Sequence, residues 1–70
     1  MIRQALAVNM RYLRQKLGLS QVDLAVRVGV DERSISAIET ERRFPRPETL
    51  EAIADVLGVT PAELITNKGV

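Results

Sequence analysis

The chain has 70 residues, 46% of them hydrophobic and 27% charged, with ten Lys/Arg against nine Asp/Glu and neither histidine nor cysteine. That length fits one small domain, taken as residues 1–70 with its core within 6–66, and the composition is that of a globular rather than a disordered chain. Without His or Cys, a disulfide framework, a thiolate or imidazole metal site and most nucleophilic mechanisms lose their usual parts, so no enzyme, metal, cofactor or small-molecule ligand is expected. No apolar run approaches the ~18 residues of a membrane span and the start lacks a signal-peptide core, so no membrane association and a cytoplasmic location are expected.

The first helix is read over Met1 to Leu17. Ile2, Leu6, Met10, Leu13 and Leu17 recur at helical spacing and form its apolar stripe, with Arg3, Arg11, Arg14 and Lys16 off it. Gly18 ends this helix. Ser20 and Asp23 then make a capping box for a second one, whose inner face is Leu24, Ala25 and Val28 and whose stop is Gly29. Asp31 caps a third helix, read as 31–41, which turns Ile35 and Ile38 inward and leaves Glu32, Arg33, Ser34, Ser36 and Ala37 outside. Two helices joined by a short turn containing glycine form a helix-turn-helix.

Thr40 to Pro47, TERRFPRP, reads as a loop, because its prolines break helical geometry on both sides. Pro47 suits the first position of a fourth helix with Leu50, Ile53, Ala54 and Leu57 inward and Gly58 as stop. Thr60-Pro61-Ala62-Glu63 is a second capping box and predicts a short fifth helix carrying Leu64 and Ile65. Asn67 to Val70 is expected to fray. The fold class is therefore all-α, with five short helices. Some of Leu57, Val59, Leu64 and Ile65 are expected to be left exposed as a dimer seam.

Net charge is only +1, but its distribution is polar: residues 1–46 carry nine basic and five acidic residues, residues 47–70 one and four. A positive half suits an anionic partner. Double-stranded DNA asks for a helix that projects side chains into the major groove, with neighbouring groups on the phosphates. Glu32, Arg33, Ser36 and Ala37 are the candidate base contacts: Arg pairs with guanine O6 and N7, Glu accepts from cytosine N4, and Ala touches a thymine methyl. Ser20 and Gln21 at the start of helix two, with Ser34, Thr40, Arg42, Arg43 and Arg46, are the candidate phosphate contacts.

The register of these residues over Met10 to Ile65 resembles the Xre/Cro-type helix-turn-helix family of phage repressors and bacterial regulators. The resemblance rests on Met10-Arg11-Tyr12-Leu13-Arg14, Gly18-Leu19-Ser20-Gln21, Leu24-Ala25, Val28-Gly29-Val30, Ile35-Ser36 and Ile38-Glu39. It continues through Pro45, Thr49-Leu50, Ile53-Ala54, Leu57-Gly58-Val59 and Leu64-Ile65. It implies a compact five-helix, lambda-repressor-like domain, a transcriptional regulator and repressor that binds a two-fold operator as a homodimer with helix 31–41 in the major groove. It also implies that the positions of Glu32, Arg33 and Ala37 read bases, that Gln21 grips a phosphate, and that Arg14 and Glu39 form an ion pair beneath the recognition helix. One position departs from the pattern: the family carries glycine where this chain has Glu41, which predicts a different end to helix three, running on toward Arg42. An antitoxin or adaptor that binds protein through helix five is the alternative.

Overall fold

The computed structural model describes residues 2–67 and consists of five helices, α1 (Ile2–Lys16), α2 (Gln21–Val28), α3 (Glu32–Glu39), α4 (Pro47–Leu57) and α5 (Pro61–Leu64). There is no strand among the described residues. Most of the expected end-fray, residues 68–70, lies outside them, as does Met1.

The helix starts are local chemistry. Ser20 Oγ accepts from Asp23 N at 2.9 Å while Asp23 Oδ2 accepts from Ser20 N at 2.9 Å, the reciprocal bonds of a capping box. Thr60 and Glu63 repeat the device at α5, at 3.1 and 2.8 Å. Asp31 caps α3 by accepting from Arg33 N at 2.9 Å. α4 has no side-chain cap and begins instead on Pro47, which lacks the N–H that would need one.

The Ser20 cap has a pH signature. The backbone N–H of Ser20, then its hydroxyl, hold the Asp23 carboxyl below its ordinary value of 3.8. A carboxyl depressed on folding stabilises the native state fully above the ordinary value, and that stabilisation is lost as pH falls through the folded value. The thermal stability of wild type over Asp23→Asn is therefore expected to be present at pH 7 and to shrink in melts taken below about pH 4.

The ends share one device. α1, α2 and α4 each close on a left-handed glycine (Gly18, Gly29, Gly58), and the following residue donates its N–H back across the last turn: Leu19 to Arg14 O at 2.9 Å, Val30 to Ala25 O at 3.0 Å and Val59 to Ala54 O at 3.0 Å. Those three residues are themselves partly buried. Each helix end thus fixes the direction of the next segment and contributes a side chain to the interior.

The core is formed by Leu6, Met10 and Leu13 of α1, Leu24 and Ala25 of α2, Ile35 and Ile38 of α3, Ile53, Ala54 and Leu57 of α4, and Leu64 of α5. Full burial of one such aliphatic side chain stabilises the fold by about 1.5–3 kcal/mol. α1 packs on α3, α4 and α5, while α2 packs on α3 and α4. Two ends of the α1 stripe do not join this core: Ile2, the first residue of α1, is 54% exposed, and Leu17, just past its end, is 53% exposed. Of the four residues expected to supply a dimer seam, Leu57 and Leu64 are buried, while Val59 and Ile65 pack against the core and stay partly exposed.

Asn9 is buried on the inner side of α1, a position for which the sequence suggested no role. Its Nδ2 donates to the carbonyls of Leu64 at 2.7 Å, Thr66 at 3.0 Å and Glu63 at 3.3 Å. A helix as short as α5 leaves its last carbonyls without helical partners, and α1 supplies the missing donor from outside.

Candidate nucleic-acid interface

α3 is held from below by a buried polar network centred on Glu39. Arg14 Nε donates to Glu39 Oε2 at 2.8 Å and Arg14 Nη2 to Oε1 at 3.1 Å, a bidentate pair with side chains only 12% and 2% exposed. Gln21 Nε2 adds a bond to Oε1 at 3.1 Å, and Arg14 Nη1 donates to Leu19 O at 2.8 Å. Arg11 Nη1 donates to the Glu39 carbonyl at 2.8 Å, placing a cation at the negative end of α3. The ion pair implied for Arg14 and Glu39 is thus present. It joins α1, the α1–α2 turn, the start of α2 and the end of α3, which sets the angle between the two helices of the motif.

Above this network α3 presents its outer face. On a helix, residues four apart stack in rows. Glu32 and Ser36 form one row, and Arg33 and Ala37 the next. Glu32 and Arg33 are exposed, while Ser36 and Ala37 are half-buried. Asp31 already satisfies the cap, so the Glu32 carboxylate is not used there. Among the described residues no hydrogen bond or ion pair engages the side chain of Glu32 or Arg33. Both are available to a partner.

An open hollow beside this face is bounded by Arg33, Ser34, Ser36, Ala37, Arg42 and Arg43. Candidate base and phosphate contacts therefore share one depression. Ser34 is rotated toward the loop and also lines a second hollow with Arg43, Phe44, Arg46 and Thr49. Arg46 stands on that second side, as the residue preceding α4. At the far end of the motif, α2 opens with Ser20 and Gln21. The Ser20 oxygen is occupied by the cap, but the Gln21 and Val22 amides at the helix start have no helical acceptor and point along the positive end of the dipole. Gln21 is anchored to Glu39 through one amide hydrogen and keeps a second. Thr40 is placed differently from a free donor. Its hydroxyl donates to Ser36 O at 2.8 Å, its N–H donates to the same carbonyl at 3.0 Å, and its oxygen accepts from Arg42 Nε at 3.0 Å. Any contribution it makes to anion binding runs through the orientation of Arg42.

The end of α3 corrects the expectation for Glu41. The helix stops at Glu39, two residues short of the 31–41 span, and does not run on toward Arg42. Glu41 itself takes the left-handed conformation, with φ 65°, and donates to Ile38 O at 3.1 Å while Arg42 N donates to Ala37 O at 2.9 Å. This is the same closure that the glycines make elsewhere, reached by a residue with a Cβ and followed by a charged rather than an apolar side chain. The strain is about 1 kcal/mol. Glu41→Gly is therefore expected to stabilise the fold by about 1 kcal/mol, raising Tm by roughly 4–8 °C. In the same melts Glu41→Gln, which removes the charge and keeps the Cβ, should leave Tm close to wild type.

No helix among the described residues is long and apolar enough to cross a membrane. The helix-turn-helix family profile matches residues 10–64. The chain is 35% identical over 65 residues to an uncharacterized HTH-type transcriptional regulator of Sinorhizobium fredii, covering 93% of this chain and 84% of that protein. It is 38% identical over 64 residues to the hypothetical transcription factor of Neisseria meningitidis, covering 91% of this chain and 60% of that one. Among solved structures, the hypothetical transcription factor NHTF from Neisseria superposes with a TM-score of 0.89 at 36% identity, over 94% of this chain and 76% of that one. The clp gene regulator ClgR from Corynebacterium glutamicum superposes with a TM-score of 0.86 at 25% identity, over 97% and 72%.

Proposed function

The chain belongs to the Xre/Cro-type helix-turn-helix family of transcriptional regulators, and we propose that it is a sequence-specific repressor that binds a two-fold operator as a homodimer, with the outer face of α3 in the major groove. The observation that carries this reading is an exposed, unengaged Glu32–Arg33 pair at the start of α3, with Arg33 sharing one hollow with Arg42 and Arg43. The first offers base-reading groups and the second offers charge for phosphates. On this reading Ser36 and Ala37 line the base edges one turn on. Ser20, Gln21 and Ser34 approach the backbone, as do Arg42, Arg43 and Arg46, the first of these oriented by Thr40. Each subunit of the dimer occupies one half-site, about 34 Å from its partner. The protein acts by occupying DNA rather than by catalysis. The second reading, an antitoxin or adaptor that binds protein through helix five, rests on the low net charge and the acidic 47–70 half; on α5, Leu64 is buried, and Ile65 at its end is half-buried.

The test is selection of bound duplexes from a random pool, with the mass of the resulting complex measured. A two-fold consensus with two chains per duplex is expected. Recovery of the pool without enrichment would overturn the reading, and enrichment of a single asymmetric site bound by one chain would overturn the dimer.

A further inference from the structure

We infer that the operator half-site presents C·G pairs, rather than A·T, to the first turn of α3, with Glu32 selecting cytosine and Arg33 guanine. This rests on the proposed function and specifies which DNA it takes.

Two features of the structure lead there. The Glu32 carboxylate is exposed, is not the cap, and is engaged by no hydrogen bond or ion pair among the described residues. A carboxylate carried into the groove without a donor to meet it opposes binding, since phosphates surround it and water is displaced. The major groove has two base donors, cytosine N4 and adenine N6. Adenine N6 lies beside the N7 acceptor, which a carboxylate oxygen approaches unfavourably, and thymine O4 and guanine O6 and N7 are acceptors as well. Cytosine is the base that satisfies Glu32, and the other three are disfavoured by repulsion as much as by a missing bond.

The second feature is what the outer face lacks. Its residues are Glu32, Arg33, Ser36, Ala37 and Thr40, with no Asn or Gln among them, so no side chain of α3 forms the bidentate amide pair that reads adenine. Thr40 has no donor to spare for a base edge. The strong reader that remains is Arg33, whose guanidinium fits guanine O6 and N7. An A·T pair at this turn leaves both charged side chains without a match, whereas the methyl of Ala37, one turn on, tolerates thymine.

Selection from a random duplex pool with wild type and with Glu32→Gln tests this, after circular dichroism has shown both to be folded. The wild-type half-site is expected to hold cytosine at one position, preferred by about tenfold or more over adenine. The variant is expected to move that position to adenine and leave the others unchanged, because an amide donates to N7 and accepts from N6. Glu32→Ala should lose the cytosine preference without gaining another. A wild-type half-site with A·T facing the turn, or an unchanged preference in Glu32→Gln, would overturn the inference while leaving the proposed function standing. Failure of wild type to enrich any sequence would overturn both.

Discussion

Arg14→Ala is expected to destabilise the fold by about 3–5 kcal/mol, the range for removing one partner of a buried ion pair. The cause is what the change leaves behind. Glu39 is 2% exposed at its side chain, and without Arg14 its carboxylate keeps a single side-chain donor, Gln21 Nε2, in a site closed to water. The carbonyl of Leu19 also loses its partner. Total stabilities of small domains run from about 5 kcal/mol upward, so this one substitution is expected to populate the unfolded state at 25 °C. Urea unfolding measures it. A companion variant identifies the mechanism: Arg14→Met combined with Glu39→Leu leaves no charge to desolvate and is expected to recover most of the loss in stability. If Arg14→Ala cost less than about 1 kcal/mol, the pair would behave as an exposed one and the network could not be what sets the angle of α3.

Arg33→Ala is expected to do the opposite, leaving stability intact and impairing DNA binding. The side chain is exposed and makes no hydrogen bond within the described residues, so urea unfolding should match wild type within about 0.5 kcal/mol. Binding to an enriched duplex, followed by fluorescence anisotropy, should weaken by about 1–3 kcal/mol, with base preference relaxed at one position and the salt dependence unchanged. Arg43→Ala provides the contrast. Loss of a phosphate contact weakens binding to every sequence alike and lowers the slope of log K against log salt by about 1. The two arginines border the same hollow, so a difference in the kind of loss, rather than its size, separates reading from gripping.

What the sequence disclosed follows from the range of the interactions involved. Caps are short-range: Ser20 with Asp23, Thr60 with Glu63, and the glycines at 18, 29 and 58 each act within a few residues, and all are visible in the string. Burial is long-range. Periodicity marks Ile2 and Leu17 as inner residues, yet nothing local says how far a neighbouring helix extends, and both are more than half exposed. Asn9 escaped notice because it is polar within an apolar helix. Its position three residues after Leu6 and one before Met10 puts it on the inner side, and that was the available sign of a buried hydrogen-bonding role.

The end of α3 has the same origin. Judged locally, Glu41 disfavours a left-handed turn. In the fold, α3 is fixed at Glu39 by Arg11 and Arg14, and Arg42 is tied to Thr40, so the chain closes there despite the strain. Tertiary bonds decided a conformation that intrinsic preference opposed. Gln21 illustrates a further limit. Its place at the start of α2 suggests a phosphate contact; in the structure its amide is a strut to Glu39. One side chain thereby links the start of α2 to the end of α3, a role that a linear string does not display.

On the proposed function, the outer face of α3, flanked by the start of α2 and the arginine loop, is the surface that meets DNA. The most direct measurement is amide chemical-shift mapping of the labelled protein titrated with a duplex enriched from the random pool. The largest changes are expected at Gln21 and Val22 and across 32–43, with the acidic side formed by α4 and α5 unmoved apart from any dimer contact. Changes confined to α4 and α5, or to the outer side of α1 at Val8 and Tyr12, with 32–43 silent, would contradict it.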